Sequence, residues 1–270
     1  MIKQFPSQIY RVIQEYHMLE PGMRVIVGVS GGADSVCLLH VLEQYRREIP
    51  FELLTVHVEH GLRGQESLND AVFVEKLCAG YAVPCRVVHA QVRSRMREER
   101  LSCEEAGRAE RYRIFSEISR EWGATRIAVA HNQNDQAETV LWNLARGSGI
   151  KGLGGIRPIQ GNIIRPLLFT ARKEIEEYLR GEGISWRTDQ TNLETAYTRN
   201  RIRLSLLPQM ESELNSQAAR HIAEAAVRLQ DVQQYLDKKT DEAAKRCLRM
   251  EAKPENGLPQ VCQSGGRCRE

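Results

Sequence analysis

The sequence predicts an α/β fold: a doubly wound, mainly parallel sheet with flanking helices, followed by a short helical C-terminal segment. Three observations predict it. Short β-branched runs alternate with runs of helical period, so successive strands are joined by crossover helices. The first strand, 24–29, ends in a small glycine-rich turn, Ser30-Gly31-Gly32-Ala33-Asp34-Ser35, and a helical pattern follows at once (Val36, Leu38, Leu39, Leu42). The chain has 270 residues, of which 41% are hydrophobic, enough for a sizeable core in one large domain or one domain plus a small second one.

Residues 1–20 read as an amphipathic helix (Ile9, Val12, Ile13, Tyr16) closed by Pro21-Gly22. Strands are expected at 24–29, 53–58, 85–88 and 126–130, and helices at 35–47, 67–81, 103–121 and 136–145. The stretch 146–169, rich in Gly and Pro, is expected to be loop with a short strand near Ile163-Ile164. Thr170 reads as the N-cap of a helix running to about Arg180, with Glu174 in its first turn. A loop over 181–200 carries Trp186, Asp189 and Asn192, and a polar helical pattern runs from Leu214 to about Met250. The tail from Pro254 has no periodicity. The expected domains are 1–210, a helical linker or truncated second domain over 211–250, and a disordered tail over 251–270.

Ligands of parallel sheets bind beyond the carboxyl ends of the strands. Three polar segments sit at those ends, 30–35, 57–65 and 131–135, and are expected to converge. In the first, Gly31 and Gly32 allow positive φ and close backbone approach. The N–H groups opening the next helix point at whatever rests on the turn, and Ser30 and Ser35 add hydroxyls. Neither the Walker A pattern nor the dinucleotide fingerprint is present. Asp34 stands where a phosphate lysine would be expected. A carboxylate beside phosphates needs a metal between them, so the loop suggests a magnesium nucleotide.

The other segments admit two readings each. In His57-Val58-Glu59-His60-Gly61-Leu62-Arg63, His57 and Glu59 share a strand face and His60 points to the other, so a three-ligand metal site from this segment alone is disfavoured. His57 can simply hydrogen-bond at the strand end, and Arg63 is the better phosphate or base contact. Ser102 and Glu105 fit a capping box, and Glu105, Arg108 and Tyr112 then share a helical face, which is either a surface salt-bridge face or one turned toward nucleotide or RNA. Asp135 and Glu138 have the spacing of an N-cap and its partner; alternatively they are two acids presented at a strand end, able to bind Mg²⁺ or orient a substrate. Arg146 to Gly155 holds five glycines in ten residues, a flexible linker or a polyanion-facing loop. Arg199 and Arg203 share a helical face and either pin a helix to the domain or reach phosphate.

The net charge of +3 decides little, but arginines crowd two stretches, 86–113 and 157–203, which suits a polyanion. The seven cysteines have no framework spacing, and Cys247, Cys262 and Cys268 do not complete a zinc set. No signal peptide or membrane span is visible, and a reducing cytoplasm is the expected compartment.

The loop Ser30 to Ser35 resembles the Ser-Gly-Gly-x-Asp-Ser loop of N-type ATP pyrophosphatases, the PP-loop superfamily. Further segments narrow the resemblance. His57 to Arg63, Gly107 to Tyr112, Ala130 to Thr139, Arg146 to Gly155, Arg165 to Leu168 and Arg199 to Arg203 resemble, in order, the tRNA(Ile)-lysidine synthetases, over roughly residues 20–207. Departures are Glu59 for a usual Asn, Gly107 for a usual Ala, and Asn132 and Asn134 for a more common His and Asp. The resemblance implies an adenine nucleotide alpha-hydrolase-like fold and a catalytic domain over 1–210. It also implies that such chains commonly extend into C-terminal RNA-binding parts. The implied reaction is adenylation of the wobble cytidine of a tRNA(Ile) bearing a CAU anticodon, then displacement of AMP by L-lysine. ATP and Mg²⁺ are the implied cofactors. No membrane partner is implied, and a homodimer is the assembly considered.

Residue by residue, the resemblance assigns ATP binding to Ser30, Gly31, Gly32, Ala33, Asp34, Ser35, His57, Arg63 and His131. Asp34 and Glu138 are the candidates for holding Mg²⁺, Asp135 for orienting or deprotonating lysine, and Arg108, Arg199 and Arg203 for pairing with phosphate or the reacting nucleotide. Two alternatives stand beside this reading: a tRNA thiolation enzyme of the same superfamily, disfavoured because no Cys-x-x-Cys occurs, and a non-catalytic ATP-binding module.

Overall fold

The computed structural model describes residues 4–61, 64–187, 198–250 and 261–263. Its strands are β1 (Arg24–Gly28), β2 (Glu52–Glu59), β3 (Cys85–His89), β4 (Arg126–Ala128), β5 (Ile159–Gln160) and β6 (Ile163–Ile164). They form one sheet in the order β3-β2-β1-β4-β6-β5, parallel throughout except for the antiparallel β5–β6 pair. The chain leaves β1 toward β2 and β3, then returns to the other side of β1 with β4. The crevice between β1 and β4 is therefore a topological switch point, the place where open α/β sheets bind ligands.

The helices are α1 (Phe5–Glu15), α2 (Ala33–Tyr45), α3 (Gln65–Gly80), α4 (Val92–Glu99), α5 (Cys103–Trp122), α6 (Gln133–Ala145), α7 (Ile150–Leu153), α8 (Arg172–Gly181), α9 (Thr198–Arg201), α10 (Leu207–Gln209) and α11 (Ala218–Cys247). Two wider π-type turns, Ile202–Leu206 and Met210–Leu214, flank α10. The strand period of two sorts β1 onto both sheet faces. Val25, Val27 and Val29 pack with α1, α2 and α8 residues such as Ile9, Leu38, Leu39 and Leu179. Ile26 packs on the other face with Leu54, Val56, Ile127 and the α5 residues Ile114, Phe115 and Ile118. Gly28 shares that second face, and a Cβ there would lie 2.6 Å from Phe115 Cζ. The glycine ending β1 is what lets α5 lie so close to the loop that follows.

All the expected strands form, close to their predicted bounds. Ser102 caps α5 reciprocally with Glu105, as the spacing predicts. Three local expectations are corrected. Thr170 is not the cap of α8: the cap position is Ala171, whose N–H donates to Glu174 at 3.0 Å. The Thr170 carbonyl instead accepts from Gln133 N, so that residue is spent on tying α8 to the start of α6. The glycine-rich stretch is not a free linker. It contains α7, and Gln136 reaches across to the Ile156 backbone through Nε2 (3.1 Å) and Oε1 (2.6 Å). Within the tail, Val261–Gln263 forms a strand antiparallel to Leu248–Met250. Asp189 and Asn192 lie outside the described residues. No described helix is long and apolar enough to cross a membrane.

Candidate active site

The loop after β1 is closed by its own serines. Ser30 N donates to Ser35 Oγ (3.1 Å), and Ser35 Oγ donates to the Gly32 carbonyl (3.0 Å). Gly31 has φ +94°, a conformation that a side chain would strain. The N-terminus of α2 then opens onto the turn with Asp34 in its first turn. His57, buried on β2, supports the loop from beside it: its Nδ1 lies 2.8 Å from the Val29 carbonyl. The hydrogen-bonding reading of His57 is thus the one its geometry matches. Glu59, also buried, holds Gly61 N and His89 Nδ1, each at 2.6 Å. Arg63 lies outside the described residues.

The segment after β4 meets this loop through one side chain. Asn132 is the N-cap of α6, and its Oδ1 accepts from Asp135 N at 3.0 Å while Asp135 Oδ2 accepts from Asn132 N at 3.0 Å. Its Nδ2 donates to Asp34 Oδ1 at 2.9 Å, across 98 positions of sequence. Of the two readings of Asp135 and Glu138, the cap-and-partner pairing is thereby excluded. Asp135 is the partner within the box rather than the cap, because Asn132 stands three residues before it. Glu138 takes no part in capping.

Glu138 is 2% exposed and faces two guanidinium groups, Arg199 Nε at 3.2 Å and Arg203 Nε at 3.8 Å. Arg199 Nη2 also lies 3.5 Å from Asp135 Oδ1. The two arginines predicted to share a face do so, and they converge on the acids of α6. Burial pushes the Glu138 carboxyl up to about 7, Asp135 adds to the rise, and Arg199 opposes it. Burial works to lower Arg199, but Asp135 and Glu138 outweigh it and hold that guanidinium above its ordinary value. Asp34 is pushed up to about 6, by burial first, against the pull of Arg172, whose Nη1 lies 3.7 Å away. Arg108 lies over the Tyr112 ring at 5.1 Å, the contact expected of their spacing. His131 Nδ1 accepts from Arg165 Nε at 3.2 Å.

Sequence reasoning missed four residues of this site. Asn132 joins its two halves. Arg165 is 2% exposed and anchors His131. Arg172 faces Asp34 and donates its backbone N–H to Asn134 Oδ1 (3.1 Å). Arg187 donates its backbone N–H to the Gly31 carbonyl (2.9 Å) and its Nε to Asp70 Oδ1 (3.0 Å), so it lies across the loop. Arg165 was visible as the start of a segment carrying the family resemblance, and Arg172 and Arg187 only as members of a basic stretch; nothing local marks which of them turn inward.

A glycine-rich turn at a helix N-terminus, beside an acid and at a switch point, has the geometry that can receive a phosphate group. Residues 1–210 match the PP-loop domain family. The chain belongs to that family. Among curated proteins, it is 41% identical over 236 residues to a tRNA(Ile)-lysidine synthase of Caldanaerobacter subterraneus, covering 87% of this chain and 50% of that protein. It is 43% identical over 242 residues to the tRNA(Ile)-lysidine synthase of Bacteroides thetaiotaomicron, covering 90% and 56%. The chain spans about half the length of the curated relatives it matches. Among solved structures, a U34-tRNA thiolase from Methanococcus maripaludis superposes with a TM-score of 0.70 at 19% identity, covering 84% of this chain and 79% of that one. That likeness concerns the fold of this PP-loop chain and not its chemistry.

Proposed function

We propose that residues 1–210 form the catalytic unit of a cytoplasmic ligase that joins free L-lysine to the wobble cytidine of a tRNA(Ile) with a CAU anticodon. The cytidine O2 attacks the α-phosphorus of ATP and pyrophosphate leaves. The lysine ε-amine then attacks C2, and the C2–O2 bond breaks to release AMP. The observation that carries this reading is the Asn132 bridge, which draws the anion-binding loop and Asp135 into one site. The loop N–H groups can stabilise charge developing on the departing pyrophosphate. The ε-amine reacts only when neutral, and Asp135 is the carboxylate assigned here to take the proton. Arg199 and Arg203, now spent on Glu138, are the cations available to the nucleotide or to a carboxylate of the incoming amino acid.

Magnesium fits Asp34 better than Glu138. Mg²⁺ takes one or two carboxylates and completes its shell with phosphate oxygens and water. Asp34 offers a carboxylate at the mouth of the loop, whereas Glu138 would have to release two guanidinium groups first. Among the described residues no cluster of three or more metal-ligating side chains occurs, which suits an ion that arrives with its nucleotide. Bound there, Mg²⁺ would neutralise triphosphate charge.

The test is transfer of radiolabelled lysine to that tRNA, with and without ATP. ATP-dependent incorporation with AMP and pyrophosphate formed is expected. ATP cleavage that continues unchanged when lysine and tRNA are both withheld would overturn the reading.

A further inference from the structure

Arg165 is an unusual buried arginine. It is 2% exposed, yet its guanidinium meets no carboxylate among the described residues. Nη1 donates to the Arg157 carbonyl (2.7 Å), Nη2 to Gln160 Oε1 (3.3 Å) and Nε to His131 Nδ1 (3.2 Å). A guanidinium can only donate, so the nitrogen facing it must be an acceptor. A histidine whose Nδ1 accepts must carry its single proton on Nε2. That Nε2 has no hydrogen-bond partner among the described residues.

We propose that Arg165 is a positioning residue that fixes His131 as the neutral Nε2–H tautomer. His131 then donates that hydrogen to a substrate oxygen gaining negative charge, rather than exchanging a proton as an acid or base. The first half stands on the geometry alone, and the second rests on the adenylation reading above. The charged groups around the ring act in opposite senses: Asp135 on α6 favours the imidazolium, while Arg165, Arg108 on α5 and Arg199 on α9 disfavour it. Burial is the largest influence and, with those arginines, lowers His131 to about 4. The ring therefore stays neutral where the enzyme would work. A preorganised neutral donor in a desolvated site needs no proton transfer to help an oxyanion.

Two experiments decide it. Long-range ¹H–¹⁵N spectra of the wild-type chain between pH 5.5 and 8 should give His131 an unprotonated Nδ1 and a protonated Nε2, with no titration. A protonated Nδ1, or a cationic ring within that range, overturns the assignment. Arg165→Met should mix the two tautomers and lower kcat for lysine transfer about tenfold or more, with KM for ATP nearly unchanged. Unaltered ring spectra and kcat in that variant would remove Arg165 from the role.

Should Arg165→Met fail to fold, His131→Gln and His131→Asn give a second route. The Gln amide reaches the position of Nε2 and the Asn amide that of Nδ1. His131→Gln should retain at least about tenfold more activity than His131→Asn, since only it keeps the donor in place. Equal loss in both overturns the donor role. A wild-type chain that transfers no lysine would defeat the functional reading while the spectra still decide the tautomer.

Discussion

Asp34 shows how function and stability compete at a single residue. Its carboxyl is driven up to about 6 because burial outweighs the attraction of Arg172 and the Asn132 hydrogen bond. The folded state therefore binds this proton more tightly than the unfolded state does. From this group alone, stability falls as pH rises from about 4 through about 6, and the ionised form costs stability at neutral pH. Asp34→Asn keeps an acceptor for Asn132 and removes that cost. The ligand-free variant should melt about 2–4 °C higher than wild type at pH 7.5, a gain of about 1 kcal/mol, and the difference should shrink toward pH 4. The same variant should lose adenylation, because it lacks the carboxylate that would face the magnesium nucleotide. A Tm lowered at pH 7.5, or near-normal turnover, would show that Asp34 is a structural acid instead.

At the scale of elements, two contacts position α5, one against the sheet and one against α4. Gly28 ends β1 under the Phe115 ring, 2.6 Å from the position a Cβ would take. Gly28→Ala must push α5 or the ring aside, at about 1–3 kcal/mol of stability. It should also weaken ATP binding, since the loop begins two residues later; a denaturant midpoint equal to wild type would contradict the packing argument. Glu110 ties α5 to α4. It is 4% exposed and accepts from Arg113 (3.0 Å), Arg95 (2.9 Å) and Gln91 N (3.2 Å). The Arg113 hydrogen bond, with Arg95 and the Gln91 amide, holds its carboxyl down at about 2 against the effect of burial. A depressed carboxyl gives stability that is full above about pH 4.5 and lost as pH falls toward 2. Glu110→Gln should cost about 2 kcal/mol at pH 7, and the gap to wild type should narrow as pH drops below 4.5. A gap constant with pH would assign the loss to packing alone.

Across the whole molecule, the switch point between β1 and β4 explains both what the sequence revealed and what it hid. Strand periodicity and the loop after β1 were legible because they are local, and so was the convergence of 30–35 with 131–135, which follows from topology. The Asn132 bridge was not legible, because its partners lie 98 positions apart. The two readings of Asp135 and Glu138 stayed open for a related reason: Asn132, Asp135 and Glu138 all fit the spacing rule, and only packing decides which acid turns inward. The same limit governs the arginines. Of the basic stretch 86–113, Arg86, Arg95 and Arg113 are already spent on carboxylates. Arg93, Arg97 and Arg100 make no ion pair among the described residues, and all three are exposed. Arg108 and Arg111 on α5 are likewise exposed and without an ion pair among the described residues. If the protein binds RNA through this face, it is these uncommitted arginines, not the committed three, that release counterions from phosphate. Each of Arg93→Gln, Arg97→Gln and Arg100→Gln should flatten the plot of log Kd against log salt by roughly 0.7–0.9, the contribution of one phosphate contact. Arg86→Gln should leave that slope unchanged, since its charge is committed to Glu121 at 2.9 Å. Equal slopes in all four variants would place the RNA elsewhere on the molecule, with the stretch 157–203 as the next basic surface to test.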